Sequence, residues 1–308
     1  GSSDMGIIEA TGLTRKYGAV TAVEGLDLDV REGSVTGFLG PNGAGKTTTI
    51  RMLLGLVHPT AGSVRVCGQP VIFGQSARPQ QVAAIVETPA FYGALSAIEN
   101  LRVLSLTAGL RLSQAQLEKQ LERLGLAGRG HEPVRGFSLG MKQRLGVASV
   151  LMQSPKVLFL DEPTNGLDPQ GQADMRELLK ALPNEGHTVF VSSHLLRDVE
   201  QTCTELIIVD RGRKVTEGKV AELLRAGSRV VFKVNDPAAA IALVRRERPQ
   251  LTVGEGMELS VQVPRDASAD QLSADLVKLL VNADVQVFSV ATQAADLERL
   301  FLQLTGKP

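Results

Sequence analysis

The chain has 308 residues, 43% of them hydrophobic and 21% charged, with 33 basic residues balancing 33 acidic ones. That length suits about two domains with a sizeable core, and the neutral balance supplies no field to draw the protein onto nucleic acid, so direct DNA binding is not expected. No apolar run is long enough to span a bilayer, no secretory signal is present, and Gly1-Ser-Ser-Asp4 ahead of Met5 reads as an expression scar. Cys67 and Cys203 lack metal-ligand spacing and read as reduced structural thiols.

From Ile7 to Gly33 short strand patterns alternate with turns, and Leu26, Leu28 and Val30 recur at every second position, so an antiparallel sheet is expected first. Ser34 to Leu39 then reads as a strand, and Thr47 to Leu56 as a helix. Between them lies Gly40-Pro-Asn-Gly-Ala-Gly45-Lys46-Thr47, a GxxxxGK[ST] phosphate-binding loop in its proper strand-loop-helix setting. Gly40, Gly43 and Gly45 let the backbone curl so that N–H groups face an anion, and the helix adds its positive N-terminal end. Lys46 supplies a mobile charge for the β and γ phosphates, and the Thr47 hydroxyl is a hard oxygen suited to Mg²⁺. A nucleoside triphosphate is the expected ligand.

Between roughly Glu87 and Gln153 the pattern turns helical, with helices expected over Ala97 to Gly109 and Ser113 to Gly125, the second capped by Ser113 and stopped by Gly125. Phe137-Ser-Leu-Gly-Met141 opens another helix, Leu139 to Met152. Ser138 there is either an ordinary N-cap or a donor that joins the helix N-terminus in binding a phosphate. The apolar run Val157 to Leu160 predicts a buried strand that delivers Asp161 and Glu162 at its carboxyl end, where α/β proteins place ligands. A second apolar strand, Thr188 to Val191, leads to His194 in the same way.

In this order the segments resemble the ATP-binding cassette ATPases. Gly40 to Thr48 resembles their Walker A loop, and Ser138-Leu139-Gly140 with Met141 their LSGGQ signature. Val157 to Asp161 resembles the Walker B strand, and Asn165-Gly166-Leu167-Asp168 the D-loop. Together the matches cover roughly Ile7 to Gly218. The resemblance implies ATP and Mg²⁺ as cofactors. Glu162 would be the catalytic glutamate that orients or deprotonates water, His194 the switch histidine at the γ phosphate, and Lys46 the third catalytic group. Thr47, Asp161 and Glu87 would hold the metal. Asn42, Thr48, Ser138, Gly140, Met141 and Asp168 would join the three loop glycines in nucleotide binding. Tyr17 stands at the adenine-stacking position; on its own it reads as an edge-strand aromatic. In the family Ser138 faces the phosphate loop of a second subunit, so one chain supplies half of each site and a homodimer has two equivalent ones. A heterodimer with a degenerate partner is the alternative.

One position departs from the family pattern. Ile85-Val86-Glu87-Thr88-Pro89 carries Glu87 where the family usually has Gln, which keeps a hard oxygen near Mg²⁺ but adds a negative charge beside the γ phosphate. With the following Pro and the pair Phe91-Tyr92, this resembles the bacitracin and lantibiotic branch of exporter ATPases. The helical arm, about residues 88–153, would touch the membrane partner, with Phe91 and Tyr92 as candidate contacts unless they pack internally.

After Gly218 the character changes. A helix over Lys219 to Ala226 is followed by strand, helix (Pro237 to Arg246), a strand pair across Gly254-Glu-Gly256, helix (Ser268 to Asn282), strand (Val285 to Ala291) and a last helix (Ala294 to Leu304), an α+β unit of ferredoxin-like pattern. The expectation is thus an α/β phosphate-loop NTPase core over 5–227, with a RecA-like mixed sheet, an antiparallel β subdomain and a helical subdomain. A small accessory α+β domain over 228–308 would serve dimer support or regulation. The expected function is the ATPase subunit of an exporter of drugs, antibiotic peptides or lipids, at the cytoplasmic face of the membrane, with membrane-spanning permease subunits and a second cassette as partners. The alternatives are a soluble cassette acting on the ribosome or on DNA, an importer ATPase, and a non-hydrolysing scaffold.

Overall fold

The computed structural model describes residues 6–74, 81–86, 90–254, 256–264, 267–293, 297, 298, 300 and 301. The chain divides into two compact units, Gly1–Glu217 and Gly218–Pro308.

The first unit is built on two sheets. Strands β1 (Ile8–Tyr17) and β2 (Val20–Val30) form an antiparallel hairpin. With β4 (Ala61–Val66) and β5 (Gln69–Pro70) they make a four-stranded sheet ordered β2-β1-β4-β5, so the early sheet also recruits strands that follow the phosphate loop. The second sheet holds β3 (Val35–Leu39), β6 (Val82–Ile85), β7 (Val157–Asp161), β8 (Thr188–Ser193), β9 (Glu205–Asp210) and β10 (Arg213–Lys219), ordered β10-β9-β3-β8-β7-β6. From β9 to β6 every pairing is parallel. Parallel strands covered on both faces need near-continuous apolar runs, and every residue of β3 and β8 is buried. Phe190 of β8 packs against Phe38 and Phe159 at centroid distances of 5.3 and 5.6 Å, filling the centre of the sheet. Arg211 and Gly212, both at positive φ, make the two-residue turn from β9 to β10.

Helix α1 (Lys46–Leu53) starts directly on the phosphate loop and stops three residues short of the expected Leu56. Helices α2 (Ala97–Thr107), α3 (Gln114–Arg123) and α4 (Leu139–Leu151) make the helical part. Capping boxes start the first two: Ser96 with Glu99, and Ser113, as expected, with Gln116. Helix α5 (Pro169–Ala181) follows β7, and α6 (Leu196–Thr202) follows β8.

The second unit begins in β10 and continues with α7 (Val220–Gly227), β11 (Arg229–Val234), α8 (Pro237–Glu247), β12 (Leu259–Gln262), α9 (Ala269–Asn282) and β13 (Val287–Gln293). Its sheet is antiparallel, ordered β12-β11-β13, and Val253 bridges Val261 on the outer side of β12. Counting that bridge, the spatial order of the four segments is that of a ferredoxin-like split βαβ unit. Val230, Phe232, Val244, Leu259, Leu276 and Leu280 form a core separate from the first unit's. Most of the expected final helix lies outside the described residues.

Candidate active site

Adjacent strands β3, β8 and β7 end level with one another: Leu39 pairs with Ser193, and Asp161 with Ser192. The loops leaving their carboxyl ends therefore converge on one point, which is where open α/β sheets bind ligands.

The phosphate loop leaves β3. Its Gly40 N–H donates to the Ser193 carbonyl at 3.4 Å and its Ala44 N–H to the Pro41 carbonyl at 3.1 Å, which ties the curl to β8. Gly45 has φ +96°, and a Cβ there would lie 2.4 Å from the Ala22 carbonyl oxygen, so only glycine lets β2 approach the loop. Asn42 and Gly43 are exposed at the tip, and Thr48 is half-buried in the first turn of α1. Lys46 is only 7% exposed; its Nζ donates to the Gly40 carbonyl at 2.7 Å and the Pro41 carbonyl at 3.3 Å, and lies 3.3 Å from Glu162 Oε1.

One bonded set links all three loops. Thr47 Oγ1 donates to Asp161 Oδ2 at 2.8 Å. The Ser192 hydroxyl donates to Asp161 Oδ1, and the Glu162 N–H donates to Ser192 Oγ at 3.0 Å. Glu162 has φ +50°, a left-handed conformation that costs a non-glycine residue energy and recurs at functional sites. Its Oε2 lies 2.7 Å from His194 Nδ1 and accepts the His194 N–H at 3.3 Å. The carboxylate thus stands between a lysine and an imidazole, with a side chain 20% exposed. Ser192 was not among the expected site residues; its only mark in the sequence is a pair of small hydroxyl residues closing an apolar strand just before His194.

Ser138, Gly140, Met141 and Asp168 belong to a second group. Ser138 caps α4 by accepting the Met141 N–H at 3.2 Å, and Asp168 caps α5 by accepting the Gly171 N–H at 3.0 Å. Both capping residues are exposed, and the two turns touch through Leu139 against Gly166 and Leu167 near Gly140. Tyr17 is 46% exposed near the tip of the β1–β2 hairpin. Tyr92 is exposed as well, while its backbone is fixed by both ends of the buried Asn100 amide. Glu87, with Thr88 and Pro89, lies outside the described residues. Among the described residues no three His, Cys, Asp or Glu side chains cluster as a protein-made metal cage.

A parallel sheet with a phosphate-binding loop after β3, an acidic strand end on β7 and a histidine after β8 defines a phosphate-loop nucleotide hydrolase. The family model described as ABC transporter matches residues 23–165. The chain is 36% identical over 302 residues to the bacitracin transport ATP-binding protein BcrA of Bacillus licheniformis, covering 97% of each. It is 34% identical over 311 residues to the daunorubicin resistance ATP-binding protein DrrA3 of Streptomyces coeruleorubidus, covering 97% of this chain and 96% of that one. Among solved structures, cbiO1 of Clostridium perfringens, part of the ABC transporter complex cbiONQ, superposes with a TM-score of 0.64 at 25% identity, covering 80% of this chain and 97% of that one. The chain belongs to the ABC transporter ATP-binding protein family, and it is an ATPase of that family.

Proposed function

We propose that the chain powers a membrane exporter of a drug, antibiotic peptide or lipid, at the cytoplasmic face of the membrane, by ATP-dependent pairing of two copies held against separate permease subunits. The names of the bacitracin and daunorubicin relatives support the transport role. No helix among the described residues is long and apolar enough to cross a membrane, which agrees with a separate permease. The observation that carries the chemistry is Glu162, seated between Lys46 and His194 at the end of β7.

In this reading the triphosphate lies over the loop 40–47, drawing the Lys46 ammonium from the Gly40 and Pro41 carbonyls onto the β and γ phosphates. Glu162 then keeps its histidine partner and turns its carboxylate to the water in line with the γ phosphate, acting as general base. His194 holds that carboxylate and contacts the γ phosphate. The donor set fits Mg²⁺: a threonine hydroxyl and a carboxylate 2.8 Å apart are hard oxygens, and Thr47 and Asp161 would hold the ion between them. When bound, the ion neutralises charge developing on the phosphates. Tyr17 stacks on the adenine. Ser138, Gly140 and Met141 serve the nucleotide of the partner copy, with Asp168 where the two copies meet, and Glu87 would offer the metal a further oxygen while adding a negative charge beside the γ phosphate. The second unit supports the pairing.

The test is size-exclusion chromatography and ATPase measurement on wild type and Glu162→Gln with Mg²⁺ and saturating ATP. The variant is expected to elute as a dimer and to lose turnover. Monomer elution would refute the pairing, and wild-type turnover in the variant would refute the base assignment.

A further inference from the structure

The ring of Tyr17 is not a bare platform. The Arg15 guanidinium carbon sits 4.4 Å from its centroid, inside the range of a cation–π contact. Residues 15 and 17 project from the same side of β1, as alternate residues of a strand do. The guanidinium is anchored by donating from NH1 to the His58 carbonyl at 2.7 Å, and the His58 ring rests against Phe73 at 5.0 Å. Arg15 Nε is buried and has no hydrogen-bond partner among the described residues, so the cation is partly desolvated against the ring.

Two further observations set the direction. On β2, Val20 pairs with Tyr17 and Thr21 with Lys16, and the next residue, Ala22, abuts Gly45 of the phosphate loop. The hairpin tip therefore stands beside the phosphate site. His58, by contrast, lies beyond the far end of α1, the end remote from that loop. Arg15 reaches the ring from the His58 side.

We propose that Arg15 is a positioning residue for the nucleotide base: it backs one face of Tyr17, fixing the ring and drawing electron density toward the cation, so that the opposite face takes a purine. This rests on the adenine-stacking reading of Tyr17. A base and a cation on opposite faces of one ring reinforce each other because each meets the charge distribution that the other favours. The contribution belongs to the base and not to the phosphates.

The experiment is calorimetric titration of the full chain with ATP and with inorganic tripolyphosphate, EDTA being present to prevent hydrolysis. Wild type, Arg15→Ala, Arg15→Lys, Tyr17→Ala and the Arg15→Ala/Tyr17→Ala double variant are compared. Arg15→Ala is expected to weaken ATP about three- to tenfold with tripolyphosphate unchanged, Arg15→Lys to recover part of the loss, and the double variant to bind no more weakly than Tyr17→Ala. If Tyr17→Ala selectively weakens ATP but Arg15→Ala binds it as wild type or more tightly, the proposal falls while the Tyr17 reading stands. Equal weakening of both ligands by Arg15→Ala would place the cation on the phosphates and overturn it. If Tyr17→Ala leaves the ratio of the two affinities unchanged, the stacking reading fails and takes the proposal with it.

Discussion

Ser192→Ala removes one hydroxyl that holds two loops together. Ser192 is fully buried; its Oγ donates to Asp161 Oδ1 and accepts the Glu162 N–H at 3.0 Å. Losing a hydrogen bond to a charged partner costs about 1.5–3 kcal/mol and losing a neutral one about 0.5–1.5 kcal/mol. Two features reduce the sum. Asp161 is half-exposed and recruits water, and the Glu162 N–H retains the Ser192 backbone carbonyl at 3.2 Å. The expected loss is about 2 kcal/mol, read as a shift in the urea midpoint of the circular dichroism signal. A functional effect accompanies it, because Glu162 holds φ +50° and Ser192 is one of the groups that keep it there. Turnover should fall about three- to tenfold while the KM for ATP moves less, since the phosphate loop keeps its own bonds. A variant within about 0.5 kcal/mol of wild type and with unchanged turnover would show that the Thr47 contact and the β-ladder alone position this acidic pair.

Gly45→Ala forces a methyl to 2.4 Å from the Ala22 carbonyl oxygen at a φ of +96°, so ATP affinity by calorimetry should fall about tenfold or more; unchanged affinity would mean that β2 yields freely. Glu162→Gln should lower ATP turnover by about 10²- to 10⁴-fold with ATP affinity within a few-fold of wild type, and a parallel loss of affinity would assign Glu162 to binding. Burial pushes the Cys203 thiol well above its ordinary value of 9.0, with Asp198 adding to the effect. The folded state therefore keeps this thiol neutral where the unfolded chain ionises it. Its contribution is complete below about pH 9 and is lost as the pH rises further. Cys203→Ala should flatten the alkaline fall in stability, and native Cys203 should resist thiol reagents that reach the half-buried Cys67. Equal labelling rates for the two would contradict the burial.

The groups that the sequence brings together are those at strand ends. Val157 to Leu160 and Thr188 to Val191 are apolar enough to be read as buried parallel strands, so Asp161, Glu162 and His194 could be placed at one edge of a sheet before any pairing was known. The glycine and lysine spacing of the phosphate loop carried its geometry in the same direct way. What the pattern could not carry was strand order. That β8 lies between β3 and β7, and so puts Ser192 on Asp161, is a long-range pairing with no local trace. The recruitment of β4 and β5 into the first sheet was hidden for the same reason. Arg15 has no mark in the sequence, because an arginine in a polar hairpin reads as solvated and the carbonyl that holds it lies more than forty residues away in the chain.

The two groups of site residues are joined through α5, and the joints differ in strength. On one side Arg176 NH1 of α5 lies 2.7 Å from Asp198 Oδ1 of α6, with side chains 18% and 10% exposed. On the other, Asp174 Oδ2 of α5 lies 3.5 Å from Arg144 NH1 of α4, and Asp174 is 36% exposed. Removing one partner of a largely buried pair strands a charge and costs about 3–5 kcal/mol, whereas an exposed, longer pair contributes about 0–1 kcal/mol. Helix α5 is capped by Asp168 and α6 starts two residues after His194, so the stronger pair ties the helix that follows the Asp168 turn to the helix that follows the loop holding Glu162. The weaker pair binds α5 to the helix that Ser138 opens. The softer joint therefore lies between α4 and α5, inside the group that Ser138 and Asp168 form, and the firmer one between that group and the loop that holds Glu162.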